Sequence, residues 1–137
     1  MRSRRALLFW GAAVAYGAGI FILSSQPVPL PGEQALFLIG DKALHAAEYA
    51  GFAFLLALAI SSSPSPRISP RAGAIAFAVA VLYAVSDEFH QTLVPGRDGN
   101  VADFAADAMG AVLGAVLVHA WRWRATRAAT VSGTSPR

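Results

Sequence analysis

The segment SDEFHQTLVPGRDGNVAD, Ser86 to Asp103, holds four acids, an Arg, a His and a Gln between two stretches of oily sequence. A second apolar stretch carries Asp41, Lys42, His45, Glu48 and Tyr49, and a third carries Asp107 four residues after Asp103. Several kinds of chemistry suit these residue types. An imidazole among carboxylates can act as general base, which makes His45, Glu48, Asp87 and Glu88 the candidates for catalysis. Lys42 and Arg97 can engage a phosphate. His45-x-x-Glu48 and Glu88-x-His90, with Asp87, Asp103 and Asp107, offer donors that suit a divalent cation. Against these stand clear absences: HAAEY lacks the second His of H-x-x-E-H, and there is no HExxH, no nucleophile elbow, no Walker loop and no cysteine. No cofactor is therefore expected, and a divalent metal is the weaker alternative.

The elements that carry these residues belong in a membrane. Of 137 residues, 55% are hydrophobic and 14% charged, and no polar run is long enough for a water-facing domain. Four apolar segments, about 6–23, 43–60, 72–94 and 101–121, are each near the ~20 residues that a bilayer requires. The expected fold is all-α, a bundle of four transmembrane helices forming one domain over 1–126, with a disordered tail over 127–137. MRSRR ahead of the first segment resembles the start of a signal peptide. The apolar run is too long and no A-x-A site follows, so it reads as an uncleaved span.

Lysine and arginine set the expected orientation. Arg2, Arg4, Arg5, Arg67, Arg71, Arg122, Arg124, Arg127 and Arg137 fall on one side, and only Lys42 and Arg97 on the other, which puts both termini in the cytoplasm. The basic residues flank apolar runs, a pattern of topology signals that excludes nucleic acid as a partner. All eight acids then lie in outer loops or in the outer halves of helices. SSSPSPRISPR, 61–71, reads as a cytoplasmic turn, SSQPVPLPGEQ, 24–34, as an extended outer connection, and ALFLIG, 35–40, as a segment too short to span.

At about 100° per residue the polar residues form stripes. Asp41, His45, Glu48 and Phe52 align on the second helix, with Tyr49 beside them. Tyr83, Asp87, His90 and Gln91 align on the third, with Glu88 at the margin, and Asp103, Asp107, Gly110, Gly114 and Leu117 on the fourth. An ionisable group at mid-membrane costs about 2.5–3.5 kcal/mol, so these stripes should face one another around a polar, outward-opening cavity. Gly110-x-x-x-Gly114 permits close helix approach, within the chain or between copies. Arg97 can bind a substrate anion or pair with Asp98 or Asp103. His119 and Trp121 read as interfacial anchors.

DKALHAAEYAGFAFLLAL, SDEFHQTLVPGRDGNVADFAADAMGAVLGA and the SSQP after the first span resemble the VanZ-like family of small bacterial membrane proteins. By that resemblance the matched positions are Asp41, Lys42, His45, Tyr49, Asp87, Glu88, Gln91, Pro95, Gly96, Arg97, Asp103, Gly110 and Gly114. Where the family's D-x-x-x-N-x-x-G pattern usually has Asn, this chain has Asp107, an ionisable group in place of a neutral one. The resemblance implies a multi-pass protein of the bacterial cytoplasmic membrane. Its namesake's link to teicoplanin resistance implies work at the cell envelope.

Three functions stay open from the sequence. One is binding of an envelope lipid, lipid-linked glycan or glycopeptide-type ligand through Asp41, Lys42, His45, Tyr49, Asp87, Glu88, Gln91, Arg97, Asp103 and Asp107. A second is a membrane enzyme that modifies a lipid headgroup or lipid-linked precursor at the outer leaflet. The third is polar packing alone. Beyond the bilayer, the partners left open are a client membrane protein and a second copy of the chain.

Overall fold

The computed structural model describes residues 2–27, 34–61 and 70–131. Among them all regular structure is helical: α1 (Arg2–Ser24), α2 (Gln34–Ile60), α3 (Pro70–Gln91) and α4 (Val101–Val131). Each contains a stretch long and apolar enough to cross a membrane: Arg4–Ser24, Lys42–Ile60, Arg71–Gln91 and Val101–Arg124. At about 1.5 Å per residue, these segments match a hydrocarbon core of roughly 30 Å.

Three boundaries differ from the sequence reading. ALFLIG is not a separate segment but continues into α2, which starts at Gln34. With no proline between Gln34 and Ile60, the helix runs on through Gly40, Asp41 and Lys42. Conversely, α3 stops at Gln91 and not near Val94, because Leu93 and Val94 turn back onto the carbonyls of His90 and Gln91. Gly96, with φ of 79°, completes that turn in a conformation open to glycine. Finally, α4 runs on through Arg127 to Val131, where a disordered tail was expected. The start of α4 is capped by Asn100, whose side-chain oxygen accepts the Ala102 N–H at 2.9 Å. The extended connection expected before Gln34 and the Ser/Pro turn lie largely outside the described residues, as do residues 132–137.

The four helices run up, down, up, down, and α2 touches all three others, most extensively α4. Large apolar side chains such as Leu7, Leu8, Leu82, Phe89, Met109 and Val116 lie on the outside, where lipid would cover them. Small residues fill the inside. Ala72, Ala76, Ala80 and Ala84 form one buried stripe on α3, and its next positions are the buried Asp87, Glu88 and Gln91. Lipid is as apolar as leucine, so association comes from close packing and polar contacts, which small interior residues permit.

The closest approach joins α2 and α4. A Cβ on Gly110 would overlap the carbonyl of Ala46, and one on Gly114 would overlap that of Ala50. Gly110-x-x-x-Gly114 therefore packs within the chain, against Ala46-x-x-x-Ala50. The stripe does not reach Leu117 as expected: Leu117 is exposed and Val118 is fully buried. From Gly110 the buried line runs in steps of four, through Gly114 to Val118, which leaves Leu117 outside it.

Candidate functional site

The C-terminal ends of α1 and α3 meet the N-terminal ends of α2 and α4, and the ionisable residues collect there. His45, Asp87, Glu88, Gln91, Asp103 and Asp107 are all buried. The α2–α4 contact positions the first group. Lys42 pairs with Asp103, and one turn deeper His45 Nδ1 lies 2.9 Å from Asp107 Oδ1. The next two steps along the same seam are Ala46 on Gly110 and Ala50 on Gly114. Glycines on α4 let the backbones touch, and that proximity brings an imidazole and a carboxylate into direct contact.

The end of α3 supplies the second group. Asp87 accepts a hydrogen bond from Ser24 Oγ at 2.6 Å and one from Gln91 Nε2 at 3.2 Å. Arg97 Nη1 donates to Gln91 Oε1 at 3.2 Å, and its Nε donates to the Gln26 carbonyl at 2.8 Å. Ser24, Asp87, Gln91, Arg97 and Gln26 thus form a circuit that ties α1 to α3 and to the loop beyond it. Arg97 takes these neutral acceptors and not Asp98 or Asp103. Glu88 Oε2 accepts the Asn100 N–H at 2.7 Å, which fixes the carboxylate against the start of α4.

Within the cluster, three buried polar atoms have neither a hydrogen bond nor an ion pair among the described residues, Tyr49 Oη, Glu88 Oε1 and Asp107 Oδ2; Asp103 Oδ1, which also lacks a hydrogen bond, is paired with Lys42. Tyr49 and Asp107 are wholly buried. Most buried polar groups in proteins are satisfied, so three orphans in one region call for a cause. His45, Glu88 and Asp107 also bring one ligand atom each to within 4.8 Å of the others, a grouping able to hold a metal ion.

Some expected members sit differently. Glu48 is only half-buried, and Tyr49, one residue on, occupies the interior in its place. Glu88, expected at the margin, is inside. His90 turns toward α1, stacking on Phe21 with ring centroids 4.4 Å apart and contacting Ser25 Oγ at 3.0 Å. His119, expected as an interfacial anchor, places its Nε2 against Gly73 of α3. Asp41 lies on α2, and its side chain falls outside the described residues. Ser24 was not singled out by sequence reasoning, although it opens the SSQP motif and directly follows the first apolar run.

Fold and site together define an integral membrane protein of four helical spans with a buried ionisable cluster at one end of the bundle. The chain belongs to the VanZ/LLP1 family, whose model matches residues 7–122 and so covers every residue of the cluster. No curated protein and no solved structure matches the chain.

Proposed function

We propose that the chain binds, without altering it, the hydroxyl- or amine-bearing headgroup of an envelope lipid or lipid-linked glycan. The site would open on the outer face of a bacterial cytoplasmic membrane, in envelope maintenance of the kind on which resistance to glycopeptides depends. The observation that carries this reading is the set of orphaned atoms. A buried polar atom left unpaired costs about 1–3 kcal/mol, and more where hydrocarbon surrounds it. Two of the three atoms are carboxylate oxygens, which accept and cannot donate when ionised. A ligand rich in O–H or N–H donors matches them. Lys42 and Arg97, both partly exposed beside the cluster, suit the phosphate that joins such a headgroup to its lipid.

A second reading draws on the His45–Asp107 contact. A carboxylate hydrogen-bonded to an imidazole is how a general base is oriented, and a membrane enzyme acting on the same headgroup would use it.

Lipid mass spectrometry separates the two. Lipids that co-purify with the wild-type protein are compared with those of inserted His45→Ala, Glu88→Gln and Arg97→Ala variants, and whole-cell lipids are compared with and without the gene. The binding reading expects one enriched, unmodified lipid class that falls at least tenfold in the His45 and Glu88 variants. New lipid species dependent on His45 would replace it with the enzyme. No enrichment in the wild type, with normal lipids in every strain, would leave polar packing as the role of the cluster.

A further inference from the structure

We infer that His45, Glu88 and Asp107 form a binding site for a first-row divalent cation of the Mn2+ or Zn2+ class. The three residues come from α2, α3 and α4, so the site exists only when those helices assemble. Imidazole with two carboxylates is a donor set such cations accept, and thiolate-preferring ions are disfavoured by it.

The spacing fits. Ligands about 2.1 Å from one octahedral ion lie about 3.0 Å apart when adjacent and about 4.2 Å when opposite. His45 Nδ1 and Asp107 Oδ1 are 2.9 Å apart, the separation of an adjacent pair, and His45, Glu88 and Asp107 each bring one ligand atom to within 4.8 Å of the others.

The orphaned atoms supply an independent reason. Asp107 Oδ2 and Glu88 Oε1 are buried acceptors with no donor among the described residues. The Tyr49 hydroxyl, wholly buried one turn beyond His45 on α2, is likewise unpartnered among the described residues. A divalent cation satisfies such acceptors and offsets two negative charges that hydrocarbon would otherwise penalise. Asn100, through its backbone N–H, holds Glu88 from behind at Oε2, in the way outer-shell donors orient metal-binding carboxylates.

Three protein ligands leave coordination positions open. The site would thereby take oxygen atoms of the headgroup considered above, hydroxyl or phosphate. The inference shares its residues with that reading, but the ion is titrated without lipid, so failure of either leaves the other measurable.

The experiment uses full-length protein in detergent, prepared without chelators and then stripped by dialysis. Mn2+ alone and Zn2+ alone are titrated calorimetrically and by thermal shift. The expected result is one equivalent per chain, a rise in Tm on binding, and affinity at least tenfold weaker in both Asp107→Asn and Glu88→Gln. Gly11→Ala, where an added Cβ meets nothing within 4 Å, should bind like the wild type. Pulsed electron paramagnetic resonance of the wild-type Mn2+ complex should show coupling to one imidazole nitrogen, a readout that needs no variant to fold. Absence of a stoichiometric site, binding unchanged in both carboxylate variants, or a complex without imidazole coupling would each overturn the assignment.

Discussion

Asp87 holds three parts of the chain at one point. Its two oxygens take the Ser24 hydroxyl from α1 and the Gln91 amide from its own helix, and Gln91 passes the link to Arg97. A polar contact between membrane helices contributes about 0.6 kcal/mol on average and up to about 1.7. The 2.6 Å bond to an acid belongs near the upper figure. Ser24→Ala should therefore lower unfolding free energy in mixed micelles by about 1–1.7 kcal/mol, and Asp87→Ala by about 1.5–3 kcal/mol, because it strands two donors. Equal losses in the two variants would show that the Ser24 bond accounts for the whole effect. The acids of this circuit were legible in the sequence, since ionisable residues are few in an oily chain and each demands a partner. Ser24 was not, because a serine at a helix end has several bland uses. Its role depends on α1 and α3 finishing side by side, which no local pattern encodes.

At the scale of elements, the α2–α4 seam makes the site. Gly110 and Gly114 meet Ala46 and Ala50 so closely that no side chain fits between them. Gly110→Ala must push the helices apart, at a cost of about 1–3 kcal/mol. It should also weaken headgroup and Mn2+ binding, because His45 and Asp107 meet only where the backbones touch. Gly11→Ala is the informative control, since a Cβ there meets nothing within 4 Å. On helix propensity alone it should be neutral or stabilise by up to about 1 kcal/mol. Similar destabilisation by both substitutions, measured by micelle unfolding, would refute the seam as the organising contact. The four helices and the glycine pair were legible from composition and spacing. The alanines opposite were not, because alanine is abundant on every helix and only pairing gives Ala46 and Ala50 their meaning. The interior position of Glu88 also lay beyond a stripe drawn on one helix, since the Asn100 N–H that anchors it belongs to another segment.

The molecule as a whole is polarised along its axis. The buried acids gather where α1 and α3 end, and the other end carries Arg71, Trp121, Arg122, Trp123, Arg124 and Arg127. Aromatic and basic residues of this kind belong at a membrane interface, and an excess of Lys and Arg marks the cytoplasmic side. Acids contribute little to topology, so insertion signals do not account for the gathering of carboxylates at the opposite end. The chain contains no cysteine, which makes any introduced thiol unique. Asp98→Cys, in the exposed turn at the acidic end, should react with a membrane-impermeant maleimide on intact spheroplasts. Arg127→Cys, exposed at the basic end, should react only after permeabilisation. The reverse pattern would place the cluster on the cytoplasmic side. An outer-leaflet headgroup could not then reach it, while the cation site, which depends on helix assembly and not on orientation, would remain to be filled from within the cell.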